Sequence, residues 1–347
     1  MAAVVVASGC GNGVQGRQVG EGAPLLAAGD EFVCAAGTSL GRMVCWGHKR
    51  SVRPDSHVYR ILATSRTTLC GLTVDGQVDC REVRRSAEGE VQIGVSVPIT
   101  SLAGASDIAM DFDGLCAVVK GVRRCLRFPV ERSAPIDGPR GVRATTGPRG
   151  GCVLKTEGEV ECDHWGGLFT PRTIALVEPA VKVVATEQRG CALLVSGRVA
   201  CWMNTGLGSD GRPDGGGPAI LRSEFDGVAD IAISTGTVCA VLTHSRGVAC
   251  SGADYYGLLG DGTYSESGDL RIGARVKRSE GITRLVGGDG AYFCGSRQTL
   301  EVTCWGFNMF GVLGTANRRH TGPNTITLPG DAGSGCRSSR CNDSDLK

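Results

Sequence analysis

Cys294 to Gly314 reads CGSRQTLEVTCWGFNMFGVLG, two cysteines bracketing a short turn with a Trp-Gly behind the second. The spacing recurs: Cys34 with Cys45, Cys70 with Cys80, Cys116 with Cys125, Cys152 with Cys162, Cys191 with Cys201, Cys239 with Cys250, and Cys294 with Cys304. Seven pairs mean seven repeats, with a period of about 36 to 55 residues. Two cysteines on a β-hairpin face each other only when the turn between them has matching parity. A separation of ten asks for a three-residue loop with a left-handed glycine third, and Gly76, Gly158 and Gly197 stand there. A separation of nine centres on Lys120-Gly121, a two-residue turn, and one of eleven asks for a four-residue loop, which Thr38 to Gly41 supplies. The pairs at Cys239 and Cys294 lack a glycine at the expected place, although Gly247 lies one residue beyond it in the former. Facing residues of a non-hydrogen-bonded pair have Cα atoms about 4.5 Å apart, within reach of a disulfide. Each pair therefore reads as a cross-strand disulfide; free buried cysteine is the alternative.

Before most first cysteines lies a short apolar run, such as Leu25-Leu26-Ala27-Ala28, Ile108-Ala109-Met110 or Ile231-Ala232-Ile233; the fourth copy, around Val142, is degraded. A small residue about seven places before the cysteine suits a strand packed where backbones converge. Each unit thus supplies three antiparallel strands, and a fourth comes from the variable segment between units, for example Ala219 to Leu221 or Arg271 to Val276. The expectation is an all-β, seven-bladed β-propeller with four-stranded antiparallel blades over residues 25–329. The strand-like Pro323 to Pro329 is expected to complete the blade built by residues 25–47, closing the ring with N- and C-terminal strands.

The motif behind the second cysteine continues Trp305-Gly306-Phe307-Asn308-Met309-Phe310-Gly311-Val312-Leu313-Gly314. The sixth unit carries Gly252-Ala253-Asp254-Tyr255-Tyr256-Gly257-Leu258-Leu259-Gly260, and the fifth keeps Cys201-Trp202-Met203-Asn204. This resembles the regulator of chromosome condensation repeat, roughly W-G-x-N-x-x-G-Q-L-G, in the cysteine-paired form common in bacterial exported proteins. The motif is strong in units 6 and 7, partial in 1 and 5, and poor in 2, 3 and 4, where Arg81 to Val83 and Leu126 to Phe128 depart from it. The resemblance implies a seven-bladed propeller acting as a protein-binding scaffold. The eukaryotic namesake exchanges nucleotide on a small GTPase and binds chromatin, and a secreted relative inhibits β-lactamase through one propeller face.

Of 347 residues 54 are glycine and 17 cysteine, and the net charge is +2, so no global field attracts nucleic acid or an anionic membrane. Seventeen cysteines, fourteen of them in regular pairs, without a metal motif imply an oxidising compartment. Cys336 and Cys341 can pair in the polar tail, residues 330–347, which leaves Cys10. Ala7-Ser8-Gly9-Cys10 resembles a lipobox and makes Cys10 a lipidation candidate; the segment lacks a basic n-region, so ordinary secretion and a leader with an unpaired thiol stand beside that reading. Residues 1–24 read as leader and tether.

No catalytic, cofactor or metal residue is expected. His48, His57, His164, His244 and His320 are scattered, the cysteines are not CxxC, and neither a phosphate loop nor a nucleophile elbow occurs. Trp46, Trp202 and Trp305 read as packing residues in separate blades. Asp210, Asp254 and Asp261 are turn signals before they are calcium ligands. Arg81, Arg84, Arg85, Arg123, Arg124 and Arg127 form a local basic cluster that reads as a solvated loop face, with an anion-binding patch as the alternative. The function expected is that of a non-enzymatic, exported, monomeric scaffold with a protein partner, no nucleic acid, and membrane contact only through a lipid anchor. The alternative is regulation or inhibition of an envelope or secreted enzyme, or nucleotide exchange or lyase activity on the propeller face.

Overall fold

The computed structural model describes residues 23–36, 42–47, 50–54, 57–65, 67–87, 90–111, 114–144, 150–164, 171–186, 189–203, 218–244, 247–288, 290–315, 317 and 322–328. They form seven antiparallel sheets arranged as a β-propeller, each built from consecutive strands. No α-helix occurs among the described residues, only 3-10 turns at Thr100–Leu102 and Val130–Arg132. The innermost strands are Leu25–Ala28, Tyr59–Thr64, Ala105–Asp111, Arg143–Ala144, Ala180–Ala185, Val228–Ser234 and Ile282–Gly288. The apolar runs of the sequence are these strands, and the degraded fourth copy is the two-residue one. The variable segments supply outer strands at Ile220–Leu221 and Leu270–Arg275. Blade 2 departs from the pattern: its third strand runs the full length of Val78–Arg85, and two short strands, Val91–Ile93 and Val97–Pro98, share its outer edge.

A disulfide joins the second and third strand of every blade. Cys34 bonds to Cys45 in blade 1, Cys70 to Cys80 in blade 2, Cys116 to Cys125 in blade 3, and Cys152 to Cys162 in blade 4. Cys191 bonds to Cys201 in blade 5, Cys239 to Cys250 in blade 6, and Cys294 to Cys304 in blade 7. The Cα atoms of each pair are 4.0 to 4.1 Å apart, and the two cysteines are directly opposed in register, so these fourteen are linked rather than free thiols. In the chain-entropy description, closing a loop of about ten residues contributes about 2.5–3 kcal/mol per link. The turns follow the parity argument. Gly76, Gly158 and Gly197 have φ of 84, 84 and 81°, and Lys120-Gly121 has φ of 51 and 76°, the two left-handed residues of a tight hairpin. The Thr38 to Gly41 turn lies outside the described residues, as do residues 1–22, Cys10, Cys336 and Cys341. Alanines 27, 63, 109 and 232 sit directly opposite the first cysteine of their blades. In blade 7, a Cβ on Gly287 would collide with the Ile233 carbonyl of blade 6.

Ring closure differs from the expectation. Asn324–Thr327 pairs with Glu301–Gly306 as the outer strand of blade 7, while blade 1 draws all four strands from residues 25–54. A strand next in sequence to an unpaired edge takes that edge without a long connection. The first and last blades nevertheless meet through side chains: Leu26, Val33 and Trp46 share one core cluster with Tyr292, Val312, Ile326 and Leu328. The Tyr292 hydroxyl donates to the carbonyls of Gly29 (2.9 Å) and Phe32 (3.1 Å), and the Ser296 hydroxyl donates to the Pro24 carbonyl (3.0 Å).

Candidate binding face

The motif that carries the resemblance folds into an interblade lock. Trp305 of blade 7 is fully buried and its indole N–H donates to the Leu258 carbonyl of blade 6 at 3.1 Å. Trp46 of blade 1 does the same to the Val312 carbonyl of blade 7 at 2.9 Å. Leu258 and Val312 lie in Gly-x-Leu-Gly turns, and a Cβ on left-handed Gly260 would strike the Trp305 ring. Tryptophan and turn are therefore two halves of one contact between neighbouring blades.

The turn is shaped from inside by Asn308, fully buried. Its Oδ1 accepts from the Leu313 amide (2.8 Å), and its Nδ2 donates to the Thr315 and Asn317 carbonyls (3.1 and 2.8 Å). Blade 6 has Asp254 in the same place, and a carboxylate has nothing to donate. Its Oδ1 still accepts from the Leu259 amide (3.1 Å), while its Oδ2 accepts from the Thr263 hydroxyl (2.8 Å) and from Arg271. Arg271 also pairs with Asp261 at 2.6 Å and donates to Thr263. Burial opposes the ionisation of Asp261, but the Thr263 hydroxyl and amide together with Arg271 hold its carboxyl below the usual range. Asp254 and Asp261 are thus both paired with Arg271, and no group of three metal-ligating side chains occurs among the described residues. Asp210 lies outside them.

Around this framework the loop of blade 6 turns an aromatic surface outward. Tyr255 is 40% exposed and Tyr264 51%, with Met309 of blade 7 beside the motif at 48%. Tyr256 packs on Phe307 of blade 7 at a centroid distance of 4.6 Å and meets Tyr264 edge-on at 6.0 Å. Three of the chain's five tyrosines are in this loop. Its backbone is pinned: the Asp254 amide donates to the Asp269 carbonyl and the Tyr256 amide to the Ser265 carbonyl, both at 3.0 Å. Gly268, at φ 74°, lets the loop cross the Tyr255 ring where a Cβ would collide. Tyr256 itself has φ 54°, a strained conformation for a bulky residue.

The innermost strands enclose a central channel of about 300 Å³, whose lining carries only two polar side chains, Thr64 and Lys182, among the described residues. At the end where these strands begin, carboxylates bridge blades. Asp107 accepts from the Ala144 amide of blade 4 and Asp230 from the Leu285 amide of blade 7, each at 2.8 Å. Lys182 pairs with Asp230. Burial pushes the Asp107 carboxyl up to about 6, against the Ala144 amide and the charges of Arg143 and Arg60.

The two described histidines outside the strands, His57 and His244, stand in blades 2 and 6; His164 lies in the third strand of blade 4, and His48 and His320 lie outside the described residues. Trp46, Trp202 and Trp305 are buried in separate blades. The six arginines lie on third strands, Val78–Arg85 and Val122–Arg127, rather than on a loop, and the solvated face holds for Arg84 and Arg127, which are exposed, but not for Arg81 and Arg123, which are buried. The Tyr59 hydroxyl donates to both oxygens of Asp79 (3.0 and 2.9 Å), and the Arg81 guanidinium donates to that hydroxyl while standing 5.6 Å from the Tyr59 ring centre. The aromatic surface of blade 6 was missed in sequence, although the density of tyrosine over residues 255–264 was its visible signal.

A seven-bladed β-propeller with one disulfide per blade is the class that this fold and these contacts define. Human WBSCR16 superposes with a TM-score of 0.59 at 12% identity, over 78% of this chain and 85% of that one. The entire ectodomain of the Physcomitrella patens receptor kinase CR4 gives 0.53 at 17% identity, over 82% and 74%. Prp20p of Saccharomyces cerevisiae, the yeast RCC1, gives 0.49 at 14%, over 87% and 76%. At these identities the likeness is one of fold. No family model matches the chain, and no curated protein matches it in sequence.

Proposed function

We propose that the protein is a non-enzymatic binding scaffold for another protein, acting as a monomer, with the loop face of blades 6 and 7 as its recognition surface. The observation that supports this is the backbone-pinned loop that exposes Tyr255 and Tyr264 on a disulfide-stapled frame. Rigid tyrosine-rich loops lose little entropy on binding and form interface hot spots. Seven disulfides belong to an oxidising environment, and no helix of the described residues is long and apolar enough to cross a membrane. The chain is exported, either held at the cell envelope through a lipidated Cys10 or secreted free, and nucleic acid is not its partner. A photo-crosslinking residue in place of Tyr264, introduced in the native host, should trap a discrete protein adduct that is absent when the crosslinker replaces exposed Val95 of blade 2. Identical adduct patterns from the two positions, or none from either, would overturn the assignment.

A further inference from the structure

Building on the scaffold reading, we infer that the blade 6 surface takes an arginine-bearing, cationic segment of its protein partner. Residues 248–270 hold four carboxylates, Asp254, Asp261, Glu266 and Asp269, and no lysine or arginine, in a chain whose bases outnumber its acids. Arg271 answers Asp254 and Asp261, and the Lys277 ammonium lies against Gly262 next to Asp261, so the acidic surface is that of Glu266 and Asp269. Glu266 and Asp269 remain exposed and are held by hydroxyls, Glu266 by that of Tyr264 (3.1 Å) and Asp269 by that of Ser267 (3.2 Å). A tyrosine donating to a carboxylate also occurs in the protein's interior, where a guanidinium joins the pair. There Tyr59 donates to Asp79, and the Arg81 guanidinium stands 5.6 Å from the ring centre. The Tyr264 and Glu266 pair presents the same ring and carboxylate at the surface.

Guanidinium suits this surface better than ammonium. It is planar, so it lies on an aromatic face while its edge donates to a carboxylate, and it is weakly hydrated and so gives up less on leaving water. The loop is held in place by its backbone bonds, by the Ser265 hydroxyl, which accepts from the Gly268 amide (3.1 Å), and by Arg271. The partner's side chain therefore meets a formed surface, and little ordering is needed on this side.

The test uses the full oxidised chain and two fluorescein-labelled peptides: four Arg-Gly-Gly repeats, and the same peptide with citrulline for arginine, which keeps the shape and removes the charge. Anisotropy at about 50 and about 300 mM NaCl should show the arginine peptide binding, weaker at the higher salt, with the citrulline peptide at least about tenfold weaker. Tyr264→Ala should weaken the arginine peptide about threefold or more. Glu266→Gln with Asp269→Asn alters only exposed side chains and should weaken it about threefold or more while flattening the salt dependence. Equal binding of the two peptides, or unchanged binding by both variants, would overturn the inference. A Tyr264 crosslink to a native protein, with no arginine-peptide binding by the wild type, would remove the cationic partner and leave the scaffold standing. Loss of both would remove the scaffold as well.

Discussion

Replacing Asp107 with asparagine isolates the cost of a carboxylate buried between blades 3 and 4. The side chain is buried, and its one bond across the interface, from the Ala144 amide at 2.8 Å, needs only an acceptor, which asparagine retains. A carboxyl moved from its ordinary 3.8 to about 6 makes the charged fold about 3 kcal/mol less stable than the protonated one. Because the fold holds this proton more tightly than the unfolded chain does, the stabilisation is complete below pH 3.8 and is lost as pH rises through about 6. The asparagine variant carries no such loss. Urea unfolding of the oxidised protein, followed by tryptophan fluorescence between about pH 4 and about pH 8, reads the difference between the two proteins, in which every other titrating group cancels. Asp107→Asn should match the wild type near the acid end and exceed it by up to about 3 kcal/mol at the neutral end. A difference that is flat with pH, or a variant weaker than the wild type above pH 7, would refute the reasoning. It would mean that Arg143 and Arg60 more than offset the burial.

Arg271→Ala leaves Asp254, 1% exposed, without its cation and should cost about 2–3 kcal/mol by denaturant unfolding. Adding Asp254→Asn should recover most of it, since Asn308 serves the same turn in blade 7. Gly287→Ala drives a methyl group into the Ile233 carbonyl and should destabilise by about 1–3 kcal/mol, read from the urea midpoint. Trp46→Ala at the closing seam and Trp305→Ala inside the ring should each cost about 3–5 kcal/mol and agree within about 1 kcal/mol, as calorimetry or denaturation will show. A markedly cheaper Trp46 would mean that the seam is already partly open.

What could be read from the chain was what short-range geometry governs. Cysteine separation dictated turn length, and turn length dictated the left-handed residues found at Gly76, Gly121 and Gly197. The Trp-Gly motif marked the blades, but its meaning, an indole bonded to the carbonyl of the neighbouring blade's turn, joins residues 266 apart for Trp46 and Val312. Nothing local announces such a bond. The strand character of Asn324–Thr327 was legible and its partner was not, because an outer strand of blade 1 and one of blade 7 make the same demands on sequence. Arg81 reads as surface until Tyr59 and Asp79 are brought to it from another strand and from two residues before it. The shape of the blade 6 loop likewise depends on Arg271 folding back on Asp254, seventeen positions earlier.

Every blade of this ring is one uninterrupted piece of chain, so the unit of sequence and the unit of structure coincide. A propeller latched by an exchanged strand has one blade that belongs to both ends, and duplicating or deleting a repeat must respect it. Among the described residues no blade is shared: the first and the last meet through a side-chain contact of the kind that joins blades 6 and 7, indole on carbonyl. A whole repeat can therefore be inserted, lost or exchanged at any of the seven boundaries without splitting a sheet or orphaning a cysteine. A blade exchanged as a unit would bring its own disulfide with it.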